Sequence, residues 1–137
     1  MLRYLIPAAG AGLGALVLQA CTTGPQAEPE MTPEAAAALA EYTLTGETMS
    51  CLNTRRIDRI EPLDERHWLI EATGGDTYLN VVSNGCNGAD SSFTYLSYQI
   101  PTGQLCRGEI VRVMDRGTDT VSGSCGLGEY QALAPAD

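Results

Sequence analysis

The sequence predicts a mostly β fold, a small disulfide-stapled antiparallel β barrel or sandwich preceded by a signal peptide, a flexible tether and one short helix. Three observations support this prediction: an apolar N-terminal segment that ends in a cysteine, an even number of later cysteines, and a change after residue 46 to β-branched and aromatic residues punctuated by glycine. The 137-residue chain accordingly divides into residues 1–20, 21–46 and 47–137.

Residues 1–20 have the form of a bacterial lipoprotein signal peptide. A positive charge at Arg3 precedes the apolar segment Leu5–Val17, and the tetrapeptide Leu18-Gln19-Ala20-Cys21 has the form of a lipobox. The apolar segment is interrupted by Pro7, and it is shorter than the roughly 18 to 20 apolar residues that cross a bilayer. We therefore expect cleavage before Cys21, acylation of that residue, and attachment to the membrane through the lipid.

Thr22, rather than Asp, follows the acylated cysteine, and this favours sorting to the outer membrane with the domain facing the periplasm. Residues 22–31 contain glycine, proline and glutamate without an apolar period, which is typical of a flexible tether. A short helix should follow. Thr32 can cap it, Pro33 suits its first position, and alanines continue through Ala40. This helix either docks through Leu39 and Tyr42 or frays.

The clearest β element is a hairpin. Residues alternate over Trp68–Ala72 and again over Tyr78–Val82, and Gly74-Gly75 supplies a tight turn between them. The other predicted strands are Cys51–Ile60 with a bulge or bend near Arg59, Glu109–Asp115, one around Val121, and Leu127–Leu133. The stretch Phe93–Ile100 is equally consistent with a strand or a short helix.

After Cys21, four cysteines remain, Cys51, Cys86, Cys106 and Cys125. An even number in an exported domain indicates structural disulfides. The wide spacings and the single histidine fit neither a thioredoxin-like pair nor a zinc site. Three connectivities are open, and we favour Cys51 with Cys125, joining the first strand to the last, and Cys86 with Cys106, closing the middle loop.

The charge balance is acidic. The whole chain has a net charge of −9, and loss of Arg3 with the signal peptide would leave seven basic and 17 acidic residues, a net charge of −10. This balance argues against nucleic acid as a partner and against adsorption to anionic lipids without an anchor. A positively charged periplasmic protein would be steered towards the domain, although acidity also serves solubility.

No nucleophile–base pair, metal cluster or phosphate loop is recognisable, so we expect no enzymatic activity, no catalytic residue, no cofactor and no metal. His67 should be an ordinary residue at a strand edge. The loop Asn84–Asp90 has oxygen ligands but lacks the carboxylate-rich calcium pattern. The aromatic residues Phe93, Tyr95 and Tyr98 could line a binding face, but we expect them to pack in the core or sheet.

Four residues are candidates for binding. Arg55 and Arg56 belong to the only basic cluster, for which local pairing with neighbouring acids is the simpler interpretation and an anion or polysaccharide contact the alternative. Asp76 and Asp90 lie in predicted loops. The first hypothesis is a non-enzymatic lipid-anchored envelope protein with a binding or structural domain. The alternative is an acidic inhibitor of a cationic hydrolase such as a lysozyme, with one of these aspartates entering the enzyme's basic cleft.

The cysteines and the residues around them also suggest a family. The shared pattern consists of Cys51 with Ile57, Tyr78-Leu79-Asn80, Cys86-x-Gly88, Tyr95, Leu105-Cys106-x-Gly108, Ile110, and Cys125-Gly126-Leu127-Gly128 before Tyr130. In this pattern the chain resembles a family of short uncharacterised proteobacterial lipoproteins classed as a domain of unknown function. The resemblance implies a periplasm-facing, lipid-anchored β domain, and it supplies no activity and no catalytic residue.

Overall fold

A computed structural model describes residues 30–137. The predicted signal peptide, the predicted lipidation site Cys21 and most of the predicted tether lie outside the described residues. The elements are a helix, α1 (Pro33–Leu39), and ten strands: β1 (Tyr42–Met49), β2 (Cys51–Asn53), β3 (Ile57–Pro62), β4 (His67–Ala72), β5 (Thr77–Val81), β6 (Thr94–Ser97), β7 (Gln104–Cys106), β8 (Ile110–Asp115), β9 (Val121–Gly126) and β10 (Tyr130–Pro135). The predicted mostly β fold is confirmed. Among residues 30–137, no helix has the length and apolar character needed to cross a membrane.

The strands form three antiparallel sheets. The largest has the order β1-β10-β5-β4-β3, a second has the order β6-β8-β9, and β2 pairs with β7. An isolated bridge between Ser83 and Gly126 links the segment after β5 to the end of β9. The five-stranded sheet ends at β1 and at β3, so the architecture corresponds to the predicted sandwich and not to the predicted barrel.

One face of the five-stranded sheet carries the core. Trp68, Ile70 and Ala72 alternate along β4 and are buried. Trp68 packs with Val111 and Val113 from the three-stranded sheet, and Ile70 belongs to a second buried group that includes Leu52, Tyr78 and Tyr130. The hydroxyl of Tyr130 donates to the carbonyl of Leu105 at 2.9 Å, and this bond joins β10 to β7. The smaller sheets therefore cover the same face of the large one.

Helix α1 lies on the opposite face. Its N-cap is Thr32, whose hydroxyl accepts a hydrogen bond from the amide of Ala35, as the sequence predicts. Ala35 is fully buried, and Leu39 shares a small cavity with Leu79 of β5. The helix is therefore docked. Tyr42, the other predicted docking residue, begins β1, which means that the predicted boundary between residues 46 and 47 falls inside this strand.

The predicted hairpin is present as β4 and β5. The predicted strand Cys51–Ile60 is divided by a 3₁₀ turn into β2 and β3, and a register shift between Ile57 and Arg59 provides the bulge expected near Arg59. The ambiguous stretch Phe93–Ile100 contains the strand β6.

The favoured disulfide pairing is wrong. The bridges join Cys51 to Cys106 and Cys86 to Cys125. Cys51 and Cys106 lie directly opposite each other in the β2–β7 ladder. Cys125 points into the core, where it meets the buried Cys86 of the loop after β5. The prediction assumed that the strand beginning at Cys51 lies beside the last strand, whereas Cys51 is on β2, which pairs with β7, and Cys125 is on β9, which pairs with β8.

Candidate functional site

The candidate site is an open groove of about 510 Å³ between β3 and β6. Each of these strands forms one edge of its sheet, because among residues 30–137 β3 pairs only with β4 and β6 only with β8. All six residues of β3 line the groove, together with the first three residues of β6 and the segment Ala89–Ser92. Ile57, Ile60 and Leu96 pack against the core beneath it. A groove of this volume is within the range of ligand sites in proteins.

Aromatic and charged side chains form the walls of the groove. The guanidinium of Arg116 lies 5.9 Å from the centre of the Tyr95 ring, and its Nε donates to the carbonyl of Thr94 at 2.9 Å. The Tyr95 hydroxyl donates to the Asp119 carboxylate at 3.1 Å. These contacts hold the Tyr95 ring from two sides, so the tyrosine presents a pre-ordered surface.

The carboxylate of Asp119 also changes the acidity of Tyr95. The hydrogen bond from the phenol to Asp119 is the main cause of a raised Tyr95 pKa, since it stabilises the protonated hydroxyl. In the adjoining turn, the pKa of Asp115 is lowered because its carboxylate accepts hydrogen bonds from the amides of Thr118 and Gly117. The turn is therefore held by an ionised Asp115.

Two carboxylates of the groove have no ion pair within residues 30–137. Asp58, on the bulge of β3, and Asp90, on the loop before β6, are both exposed. In contrast, Glu61 is paired with Arg59 at 3.1 Å. Three carboxylates and two guanidinium groups line the groove in total, which leaves it slightly negative.

The structure separates the four predicted binding residues. Asp90 lies at the groove. Arg56 and Asp76 come together elsewhere, as an ion pair of 3.1 Å in which both side chains are more than half exposed. Arg55 lies with Arg56 on a single turn of 3₁₀ helix and is also exposed. The predicted pairing of the arginine cluster with neighbouring acids therefore occurs for Arg59, with Glu61, whereas Arg56 pairs with the distant Asp76.

Sequence reasoning missed part of the groove. Phe93 was expected in the core or sheet, but it is 77% exposed, and Tyr98 is 38% exposed. Tyr95 and Tyr98 line the groove. No sequence pattern marked Arg116 or Asp58 as residues of a site. Arg116, for example, reaches Tyr95 through the pairing of β6 with β8.

A second cluster of titratable groups surrounds Asp64 and His67, both of which are buried. The Asp64 carboxylate accepts hydrogen bonds from the amides of Thr32, Arg66 and His67 and lies 2.9 Å from the Nδ1 of the His67 ring. Burial, the largest single effect, opposes ionisation, but the hydrogen bonds together outweigh it, and the pKa of Asp64 is lowered. This cluster ties the start of α1 to the β3–β4 turn.

Within residues 30–137, no group of three or more His, Cys, Asp or Glu side chains is arranged to hold a metal ion. Comparisons of the chain with models of protein families, with curated proteins and with solved structures give no match.

Proposed function

We propose that this protein is a non-enzymatic lipoprotein of the bacterial envelope, anchored through a lipid on Cys21, whose β domain binds a partner in the periplasm. The observation that best supports the proposal is the pairing of all four later cysteines into two disulfides. Disulfides form and persist outside the cytosol, which is where a lipobox directs a protein.

The short segment between Cys21 and α1 is consistent with an anchored domain. The segment between Cys21 and Thr32 spans at most about 40 Å when fully extended, so a lipid on Cys21 would keep the domain close to the membrane. A partner bound to the domain would then be held near the same membrane.

Anchoring is tested by fractionating cells that express Cys21→Ser, in parallel with the wild type and with Thr22→Asp. We expect the wild type in the outer membrane with incorporated palmitate. Cys21→Ser should be soluble and unlabelled, whereas Thr22→Asp should be labelled but retained in the inner membrane. If Cys21→Ser still sediments with membranes in high salt, the proposed anchor is wrong.

Binding is tested by placing a photo-crosslinking amino acid at three exposed positions on different surfaces: Leu44 on β1, Ser92 at the groove and Val121 on β9. We expect a specific crosslinked protein from at least one position in the anchored chain. If none of the three positions yields a crosslink in cells that retain the protein in the membrane, the binding role is wrong.

A second candidate function is inhibition of a cationic hydrolase such as a lysozyme. The exposed Asp90, which has no ion pair among the residues that the structure describes, favours it. Asp76 is a poorer candidate because Arg56 already neutralises it. In a lysozyme assay, the mature chain carrying Cys21→Ser should inhibit, and addition of Asp90→Asn should weaken the inhibition while Asp76→Asn does not. Equal activity with and without the protein would exclude this candidate.

A further inference from the structure

The edge of β6 that lines the groove has unpaired backbone groups. Arg116 donates its amide to the carbonyl of Phe93 at 2.9 Å, and Asp115 donates its amide towards β9, to Thr120. Hydrogen bonds alternate along an antiparallel pair, so Phe93, Tyr95 and Ser97 direct their backbone groups towards β8. The amide and carbonyl of Leu96 consequently point away from β8, where no strand within residues 30–137 pairs with them.

The same reasoning applies to β3 on the other side of the groove. The amide of Leu63 donates to the carbonyl of His67 at 2.9 Å, which fixes the alternation in the β3–β4 pair. The amide and carbonyl of Ile60 therefore point away from β4. Ile60 and Leu96 both line the groove, so it is bordered by two open sheet edges.

We infer that the groove binds an extended, positively charged polypeptide segment, which pairs with the open edge of β6. This inference rests on the proposed binding function and specifies its site and its partner. Strand addition of this kind draws its affinity from main-chain hydrogen bonds and its specificity from the side chains alongside.

The edge of β6 suits an added strand better than the edge of β3. Thr94, Tyr95, Leu96 and Ser97 carry no charge. In contrast, β3 has three charged side chains, a bulge and a terminal proline without an amide, which are features that protect an edge against pairing. The groups at Thr94 are already bonded, the amide to Ser91 and the carbonyl to Arg116, so the open edge begins at Leu96.

The positive charge of the partner is inferred from the two groove carboxylates that have no ion pair in the described part of the chain. Asp58 and Asp90 lie on opposite walls, one on β3 and one on the loop before β6. A lysine or arginine side chain of the added strand would lie between them, against the ring of Tyr95. The acidic domain as a whole would steer such a segment towards the groove, and would repel a second copy of itself.

The test uses the mature chain with Cys21→Ser, exported so that its disulfides form, and three short synthetic peptides. The first alternates lysine and valine, the second replaces each lysine by glutamate, and the third is the lysine peptide methylated on alternate backbone nitrogens. Binding is measured by calorimetry, and protection of individual amides by NMR-detected hydrogen exchange.

We expect the lysine peptide to bind and to slow exchange of the Leu96 amide. Backbone methylation should weaken binding at least about fivefold, since it removes main-chain hydrogen bonds. Asp90→Asn should weaken binding of the lysine peptide about twofold to fivefold, which is the effect of losing one exposed ion pair. The matched control is Glu41→Gln, since Glu41 is an exposed acid outside the groove, and it should leave this binding unchanged. Equal binding of the glutamate peptide, or protection of β1 or β9 in place of Leu96, would overturn the inference.

Crosslinking in cells separates this inference from the proposed function. We expect the photo-crosslinker at Ser92, but not at Val121, to capture a segment rich in lysine or arginine, identified by mass spectrometry of the crosslinked peptide. Three outcomes would contradict the inferred partner of the groove but not the proposed binding function. They are capture only from Val121 or Leu44, capture of an acidic segment, and capture of a second copy at Ser92. Absence of capture at every position would instead contradict the proposed function.

Discussion

The side chain of Asn80 forms two reciprocal hydrogen bonds with the backbone of Gly128. Its Oδ1 accepts from the Gly128 amide at 2.8 Å, and its Nδ2 donates to the Gly128 carbonyl at 2.9 Å. Asn80 is fully buried on β5, so these bonds replace the water that its amide would otherwise bind. They attach the segment that precedes β10 to the middle of the five-stranded sheet.

Gly128→Ala should destabilise the fold. The added Cβ would collide with the carbonyl oxygen of Val81, which is backbone and cannot rotate away. We expect the free energy of unfolding to fall by about 1 to 3 kcal/mol in urea denaturation, and Asn80→Ala to have an effect of similar size by leaving buried groups unpaired. Ser124→Ala, at an exposed site, should remain within about 0.5 kcal/mol of the wild type. A wild-type transition for Gly128→Ala would show that this close approach is not required.

The two disulfides should contribute differently to the free energy of unfolding. Cys86 and Cys125 are buried, whereas Cys51 and Cys106 are half-buried. Each bridge should stabilise the fold by about 2 to 4 kcal/mol, and replacing Cys86 and Cys125 by alanine should cost more than replacing Cys51 and Cys106, because core packing is lost as well.

Thermal melts of the two double variants, and of the oxidised and reduced wild type, check this prediction. Excess reductant should lower the melting temperature sharply. Peptide mapping without reduction should recover the Cys51–Cys106 and Cys86–Cys125 pairs. An unchanged melt in reductant would show that the disulfides do not stabilise this domain.

The elements predicted correctly are those specified by local chemistry. The hairpin of β4 and β5 follows from alternation around Gly74 and Gly75, both of which adopt the positive φ of the turn, +92° and +89°. The start of α1 follows from Thr32 and Pro33. In both cases a few residues that are neighbours in the sequence are enough to specify the local structure.

The elements that were missed depend on distant pairings. Strand β1 is almost entirely exposed, so burial does not specify it. It exists because it pairs with β10 at the other end of the chain. Disulfide connectivity likewise depends on which strands are neighbours. Of the groove, only Asp90 was favoured as a binding residue from the sequence, and Tyr95 and Tyr98 were expected in the core or sheet. Their meeting with Asp58 requires the two sheet edges to face the same space.

The stability of the domain should depend on pH through Asp64. Its pKa is lowered in the folded state, so its contribution is fully present above the unfolded value of 3.8 and is lost as the pH falls through the folded pKa. Asp64→Asn should therefore be less stable than the wild type at neutral pH, and the difference should shrink in strong acid. Urea denaturation across this range, with Glu41→Gln as the control, measures the difference. A difference that does not change with pH would assign the effect to shape rather than to charge.

The order of the Tyr95 ring depends on Asp119, and the pKa of Tyr95 reports this contact. Since the hydrogen bond to Asp119 is the main cause of the raised pKa, Asp119→Asn should bring the Tyr95 pKa down towards its ordinary value of 10.0. Asparagine is the suitable replacement because residue 119 has a φ of +53°, which asparagine tolerates well. NMR titration of ring-labelled tyrosine, with Tyr95→Phe to assign the signal, measures the shift. A Tyr95 pKa that is the same in both proteins would mean that the phenol is not bonded to Asp119 in solution, and the groove would then lack the pre-ordered aromatic wall on which an added strand would lie.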